Sequence, residues 1–308
     1  MKKFLYRTTT FSLFLILIYF ITSFITSNKQ EAKNNFTASI IDKHKLIDSI
    51  QSPKMIFAGG SNVPFGINSL KIENEFNIRV VDLGLHGGLG LSFMLEELKY
   101  SAKSGDIVFL SIEYFLDLDG NYKLKKLTSS FYNDANKFYD NEIINDIDLH
   151  IENTRNNLKQ FFLKSEKQAS KLYSRNAFNR HGDVIAHLKM KQPTEINDRG
   201  VLKYRYWEGI KKLNEFNDYA NSNNIKVFFL YPSYPISEYN LNKETIIKYA
   251  NDLSNDLDML IINKPIDFVY DDSLFFDTVY HLNKIGREMR TNKLVEIIKR
   301  TNAQQRFL

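Results

Sequence analysis

The sequence predicts an α/β fold in which a mostly parallel sheet lies between two layers of helices. Three short apolar runs, at residues 54–58, 78–83 and 106–112, predict buried strands. Segments with apolar residues at helical spacing alternate with these runs, and parallel strands require such long connections. Strands covered on both faces have nearly continuous apolar runs, which these segments resemble. We therefore predict a doubly wound sheet with helices on both faces.

The predicted elements follow one another along the chain. Residues 40–50 have helical spacing, and the first predicted strand ends in the glycine pair before Ser61. A helix at about 91–101 lies between the second and third predicted strands. The later elements are a helix at 206–221, a strand at 225–231, a helix at 243–257, a short strand at 259–262 and a closing helix at 284–299.

The stretch at about 117–201 interrupts this alternation. It is polar and rich in asparagine and lysine, with helical spacing near 145–172. We interpret it as a helical insertion or cap beside the sheet rather than as a second independent domain. Its segment Asn179-Arg180-His181-Gly182-Asp183 is a polar turn, which is more often structural than in contact with a substrate.

The first 27 residues predict a membrane anchor. Three basic residues precede a strongly apolar run at 11–25, and the span 4–26 is long enough to cross a bilayer. Basic residues before the run favour a cytoplasmic N-terminus. A cleaved signal peptide is the alternative, although Ile25-Thr26-Ser27 fits the small-x-small cleavage pattern poorly. The chain then divides into a cytoplasmic tip with a signal anchor (1–27) and an extracytoplasmic domain (28–308).

Composition narrows the class of protein. The chain has 308 residues, 43% of them hydrophobic, which suits one large folded domain or a domain with an insertion. The net charge of +5 comes from interspersed lysines and acids, so we expect no nucleic-acid partner. No clustered ligand spacing suggests a metal, and the glycines at 87–90 lack a dinucleotide fingerprint. We expect neither a metal nor a cofactor.

Ser61 and the segment around His281 form the candidate catalytic set. Gly59-Gly60-Ser61-Asn62 follows the first predicted strand, and open α/β sheets bind ligands at the carboxyl ends of their strands. Asp277 and His281 lie four residues apart before the closing helix, where the carboxylate can orient the imidazole as a base. Taken singly, the first segment is a common polar turn and Asp277 an ordinary helix cap. Together they have the composition of a serine acyl-transfer site.

Three segments in order resemble blocks of the SGNH, or GDSL-like, hydrolases: Phe57 to Asn62 the first block, Val81 to Gly88 the second and Asp277 to Asn283 the fifth. The resemblance covers roughly 54–116 and 225–300, and it implies a flavodoxin-like three-layer α/β sandwich. It also implies that Ser61 is the nucleophile, His281 its base and Asp277 the orienting acid. The backbone N–H groups of Ser61 and Gly87 would form the oxyanion hole.

The sequence departs from the family pattern at three places. The acidic residue before the serine is replaced by Gly60, and the aspartate and histidine are spaced by four residues instead of three. The asparagine of the third block is missing, since the third strand runs into Ser111-Ile112-Glu113-Tyr114. A third oxyanion donor is then either absent or supplied by Tyr114 or Asn62. Asn62, Glu113 and Tyr114 are therefore candidate site-lining residues.

The layout of anchor and domain resembles a subset of the superfamily, the membrane-anchored proteins of surface-polysaccharide acylation. This implies a serine esterase or O-acyltransferase acting on acyl esters, foremost acetyl esters, of a cell-surface glycan. Its partners would be the acylated glycan or an acyl donor, the lipid bilayer and a multi-spanning acyltransferase. It would lie in a bacterial cytoplasmic membrane as a single-pass protein with its N-terminus inside. The alternative is a non-catalytic glycan-binding or assembly subunit on a degenerate SGNH scaffold.

Overall fold

The computed structural model describes residues 1–26, 34–142, 145–146, 148–149, 151–152, 155, 170–197, 199–305 and 308, with only the backbone at 19, 21–26 and 305. Its strands are β1 (Met55–Gly59), β2 (Val80–Asp82), β3 (Ile107–Ser111), β4 (Lys226–Leu230), β5 (Tyr234–Pro235), β6 (Leu260–Ile261) and β7 (Val269–Tyr270). Five of them form a parallel sheet in the order β2-β1-β3-β4-β6, and β5 pairs with β7 separately.

The described α-helices are α1 (Lys2–Thr26), α2 (Ile40–Ser49), α3 (Ser69–Phe76), α4 (Leu91–Ser101), α5 (Tyr122–Phe131), α6 (Gly209–Ser222), α7 (Ile236–Leu241), α8 (Lys243–Asp256) and α9 (Lys284–Gln305). Side chains of α2, α4, α6 and α8 pack on one face of the sheet, and those of α3 and α9 pack on the other. The side chains of β1 alternate accordingly. Ile56 and Ala58 pack against α2, α4, α6 and α8, and Met55 and Phe57 pack on the face covered by α3 and α9. This confirms the predicted α/β fold with helices flanking a parallel sheet.

The strand order places a crevice at the carboxyl ends of β1 and β3. The chain leaves β1 towards the β2 side of the sheet and returns to form β3 on the other side of β1. At such a reversal of strand order, the two connections diverge and leave room for a ligand. The residues after β1, β2 and β3 therefore share one edge of the molecule.

Several elements differ from their predicted bounds. The closing helix extends to Gln305, and the last strand of the sheet is reduced to Leu260–Ile261. The elements β5, β7, α3 and α7 are not predicted from the sequence. Strands of two residues are too short to show an alternating pattern, and α3 depends on a cap, since Asn68 accepts a hydrogen bond from the Lys71 N–H.

The described part of the insertion packs against the sheet domain. It contains α5 and several short 3₁₀ turns, whereas most of the helical spacing predicted near 145–172 lies outside the described residues. A third apolar cluster, which includes Phe65, Phe93, Phe138 and Val184, joins the insertion to the loops after β1 and β2. The proposed division into an anchor and one domain with an insertion stays a prediction.

The N-terminal segment forms the helix α1. In the described part of the chain, no helix combines the length and the hydropathy that crossing a membrane requires. The predicted anchor includes positions 19 and 21–26, whose side chains lie outside the described residues.

Candidate active site

Ser61 lies directly beyond the carboxyl end of β1. A Cβ atom on Gly59 would lie 2.1 Å from the Ser111 carbonyl oxygen, so only glycine lets the chain leave β1 this close to β3. Residues 61–66 then form a turn in which the Phe65 N–H donates to the Ser61 carbonyl at 3.2 Å. A single helical turn therefore follows the serine, and the next α-helix begins only at Ser69.

The imidazole of His281 is held in one orientation. Its Nδ1 lies 2.8 Å from Asp277 Oδ1, and because a carboxylate only accepts, Nδ1 is the protonated nitrogen. Nε2 is then the basic nitrogen. Phe65 stacks on the imidazole with the ring centroids 3.7 Å apart and the planes 6° from parallel. Since Phe65 belongs to the turn that begins at Ser61, this stacking joins the two candidate segments.

A residue of the insertion binds the second carboxylate oxygen of Asp277. The hydroxyl of Tyr173 donates to Asp277 Oδ2, and the Asn197 N–H donates to the Asp277 carbonyl at 2.7 Å. Burial raises the pKa of the Asp277 carboxyl, but the hydrogen bonds from His281 and Tyr173 outweigh it and hold that pKa below its ordinary value. Asp277 is therefore ionised at neutral pH and can stabilise an imidazolium at His281.

Ser61 and His281 line one cavity of about 390 Å³. The other residues lining it are Phe36, His86, Gly87, Gly88, Glu113, Tyr173, Thr278 and Tyr280. Among the described residues no hydrogen bond joins Ser61 Oγ to the imidazole. Catalytic hydrogen bonds are often long before a substrate binds and tighten in the complex. The cavity thus brings together the predicted nucleophile, the predicted base and the predicted oxyanion-hole glycine.

The carboxylate of Glu113 lies between the loops that follow β1 and β2. A Cβ atom on Gly60 would lie 2.3 Å from Glu113 Oε1, and one on Gly87 would lie 2.6 Å from Oε2. The Asn62 N–H also points at Oε1, at 3.4 Å. Both glycines are therefore covered by this carboxylate, which sits in the region predicted for the oxyanion hole.

Two of the predicted site-lining side chains point away from the cavity. Asn62 is buried, and its Nδ2 donates to the carbonyl and the hydroxyl of Ser111 at 3.1 and 2.9 Å. Tyr114 packs in the core against Tyr234 and Tyr249, with ring centroids 5.3 and 5.6 Å apart. Glu113 lines the cavity, whereas Tyr114 begins a turn and faces the core. Neither side chain supplies a third oxyanion donor.

Other residues of the site are not predicted from the sequence. Tyr173 comes from the insertion and belongs to no motif, whereas Tyr280 lies within the segment Asp277 to Asn283 but is not one of the residues that the resemblance assigns to the site. Arg290 is buried beneath the serine loop, where its guanidinium donates to the Asn62 carbonyl at 2.7 Å and to Ser111 Oγ at 2.8 Å. Burial lowers the pKa of Arg290 to about 10. This side chain fixes the backbone around Ser61 from below.

Comparisons with known proteins do not identify the site. In the described part of the chain, no group of three or more histidine, aspartate and glutamate side chains is arranged to hold a metal ion. No family model matches the sequence, and no curated protein matches it.

Proposed function

We propose that this chain is a serine-dependent ester hydrolase or O-acyltransferase of the SGNH type. The observation that carries the proposal is the shared cavity of Ser61 and the Asp277–His281 pair, whose segments lie near opposite ends of the folded domain's sequence. A serine, a histidine and an aspartate act together only when tertiary structure brings them to one place. Ser61 follows β1 and Glu113 follows β3, so the cavity that they share with His281 borders the carboxyl ends of these strands, where doubly wound folds bind ligands.

The chemistry follows from the orientation of His281. Its Nε2 takes the Ser61 proton while Ser61 Oγ attacks the acyl carbon, and Asp277 stabilises the imidazolium. The negative charge that develops on the carbonyl oxygen is held by the N–H groups of Ser61 and Gly87. His281 then protonates the departing alkoxide, which leaves an acyl-serine. Water or a sugar hydroxyl, deprotonated by His281, takes the acyl group and restores Ser61.

The substrate, the partner and the location are part of the proposal. We assign acyl esters of a bacterial cell-surface polysaccharide as substrates and a multi-spanning membrane acyltransferase as a partner, on the strength of the sequence resemblance. The helix α1 would anchor the domain, since the side chains of Phe11, Phe14 and Leu17 are 61%, 57% and 55% exposed. Large contiguous apolar surfaces of this kind mark interaction sites or membrane contact. Retention of the full chain in a carbonate-washed membrane fraction, and its loss on deletion of residues 1–33, tests the anchor.

Covalent labelling tests the enzyme assignment. A fluorophosphonate forms a stable ester only with an activated serine, so the full chain should be labelled at Ser61. Ser61→Ala should lose the label and reduce aryl acetate hydrolysis by about a thousand-fold or more. Asp277→Asn retains Ser61, but its labelling should be slower than in the unaltered protein. Labelling that persists undiminished in Ser61→Ala would remove Ser61 from the mechanism.

One observation favours the second candidate, a non-catalytic glycan-binding or assembly subunit. The Glu113 carboxylate lies against Gly60 and Gly87, where a negative charge opposes a developing oxyanion. In that case Ser61 is not labelled by a fluorophosphonate, yet glycan fragments bind to the cavity. Binding measured in Ser61→Ala distinguishes this candidate from a misfolded protein.

A further inference from the structure

A second concave surface, with a volume of about 730 Å³, lies between α2 and the insertion. One wall is a single face of α2, because its lining residues Asp42, Lys45, Leu46 and Ser49 are spaced three or four positions apart. The other wall is the insertion segment 175–180. We call this space the α2 groove. Its volume is within the range of roughly 300–1,000 Å³ that is usual for ligand sites.

The α2 groove has an excess of positive charge. Among the described residues that line it, three are basic (Lys45, Arg175 and Arg180) and one is acidic (Asp42). Arg175 binds both carboxylate oxygens of Asp42 at 2.6 Å, so these two charges offset each other. Lys45 and Arg180 are exposed, and neither forms an ion pair with another described residue. Two cations in the groove are therefore available to an anionic ligand.

The uncharged residues of the α2 groove suit a hydroxylated ligand better than a nucleic acid. The hydroxyl of Ser49 and the amide of Asn176 are exposed, and such groups bind the hydroxyls of sugars as donors or acceptors. Phe178 is the one aromatic side chain among the described lining residues. Its ring already packs against Phe36, with centroids 4.8 Å apart, and against the Lys43 ammonium, 4.8 Å from its centroid. Single-stranded nucleic acids bind by stacking bases on open aromatic faces, which the groove does not provide.

The α2 groove adjoins the cavity that contains Ser61. Phe36 lines the cavity and Phe178 lines the groove, and their rings are in contact. The insertion also borders both spaces, since Tyr173 lines the cavity and Arg175, two residues later, lines the groove. A polymer with one unit in the cavity therefore has further units beside the groove.

We propose that the α2 groove binds an acidic segment of a glycan, whose carboxylate or phosphodiester groups contact Lys45 and Arg180. The guanidinium of Arg180 can hold either anion through two parallel hydrogen bonds, and Lys45 acts as a point charge. Asn176 and Ser49 bind sugar hydroxyls. The identity of the ligand as a glycan rests on the proposed function of the neighbouring cavity, whereas the positive charge of the groove is independent of it.

Calorimetry on the full chain tests the inference. The probes are trigalacturonate, its methyl ester, which has the same sugars without the charges, and a linear trimer of glycerol phosphate. The measurements use Ser61→Ala, so that no ester is hydrolysed. We expect trigalacturonate or the phosphodiester trimer to bind at least tenfold more tightly than the methyl ester, and the acidic probe that does so identifies the anionic group. Addition of Lys45→Gln and Arg180→Gln should abolish this preference.

The matched control combines Arg205→Gln with Lys211→Gln. It also removes one arginine and one lysine from exposed positions, but neither residue lines the α2 groove, so the preference should persist. Surface substitutions of this kind have little effect on stability, which thermal unfolding of both variants verifies. Equal affinities for acidic and neutral probes would overturn the inference, and so would a preference that survives loss of Lys45 and Arg180. Loss of the preference in the control as well would overturn it by showing attraction to the whole chain.

Fluorophosphonate labelling of the unaltered protein separates this inference from the proposed function. If Ser61 is not labelled but the preference depends on Lys45 and Arg180, the groove is supported without the serine chemistry. If Ser61 is labelled but the three probes bind equally, the inference fails and the proposed function stands.

Discussion

At the scale of single residues, the insertion supplies a hydroxyl group to the aspartate behind the imidazole. Tyr173 donates to Asp277 Oδ2 while His281 Nδ1 binds Oδ1, so both carboxylate oxygens are held. A carboxylate fixed at both oxygens cannot rotate away from the imidazole. Tyr173 is therefore a positioning residue for His281, in addition to lining the cavity.

Tyr173→Phe tests this role, because it removes the hydroxyl and keeps the ring. A hydrogen bond to a charged group contributes about 1.5–3 kcal/mol, so we expect kcat on an accepted ester to fall about tenfold with little change in KM. The pKa of Asp277 is lowered in the folded state, so its stabilisation is present above the unfolded pKa and lost as the pH falls. Tyr173→Phe raises that pKa and should move acid unfolding to a higher pH.

The matched control for this prediction is Tyr206→Phe. The Tyr206 hydroxyl also donates to a carboxylate, that of Asp256 at 2.9 Å, but on an exposed part of the surface. We expect this variant to change neither kcat nor the midpoint of acid unfolding. If Tyr173→Phe behaved in the same way, the hydroxyl would have no part in holding Asp277.

At the scale of secondary-structure elements, the close approach of β1 and β3 positions the serine loop. Gly59 pairs with Ser111 in the parallel register, and the space for its side chain is filled by the Ser111 carbonyl. At Gly60 an added Cβ would first meet the far end of the Glu113 side chain, which can rotate, and then the Gly87 Cα at 3.1 Å. The two adjacent positions therefore require glycine for different reasons. The space beside Gly59 is filled by backbone atoms of β3, and the space beside Gly60 is filled mainly by a side chain of the site.

Gly59→Ala tests this difference. Its Cβ would meet the backbone oxygen 2.1 Å away, so the strand pair or the serine loop must shift. We expect a loss of about 2 kcal/mol or more in the free energy of unfolding, measured by urea denaturation. At Gly200 an added Cβ meets no atom within 4 Å, and Gly200→Ala should change stability by less than about 0.5 kcal/mol. Equal effects at the two positions would contradict this account of the loop.

At the scale of the whole molecule, buried ionic contacts attach the insertion to the sheet domain. Asp183 is fully buried and accepts from the Ser69 hydroxyl at the start of α3 and from Arg287 on α9 at 2.8 Å. This attachment matters for the site because the same insertion carries Tyr173. A second link joins Arg175 to Asp42 on α2, with both carboxylate oxygens at 2.6 Å, but there the Asp42 side chain is 53% exposed.

Removal of the Asp183 carboxylate should lower the free energy of unfolding far more than removal of the Asp42 carboxylate. Asp183→Ala leaves the Arg287 cation buried without this partner, which typically costs about 3–5 kcal/mol. Asp42→Ala breaks a surface pair, which contributes about 1 kcal/mol or less because water screens it. Urea denaturation measures both changes in the free energy of unfolding, and limited proteolysis reports whether the insertion detaches first. Comparable losses in the two variants would show that the buried link does not govern attachment.

The α/β architecture could be predicted from sequence because strand and helix periodicities are local. Apolar runs such as residues 55–59 and 107–111 predict buried strands without any knowledge of how the rest of the chain folds. Ser61, Asp277 and His281 could be nominated for the same reason, since each stands in a short segment of suitable composition. The direction of Asn62 and Tyr114, which point away from the cavity into the protein interior, was less predictable, because it depends on how the residues beyond each strand turn.

The sequence by itself determined which segments alternate between sheet and helix, and which serine and histidine are candidates for the same reaction. Only the tertiary structure decided that they line one cavity, that Tyr173 of the insertion holds the aspartate, and that Glu113 covers Gly60 and Gly87. The physical reason is the range of the interactions. Periodicity and capping act within a few residues, whereas the charge in a cavity is set by side chains that packing brings together from distant parts of the chain.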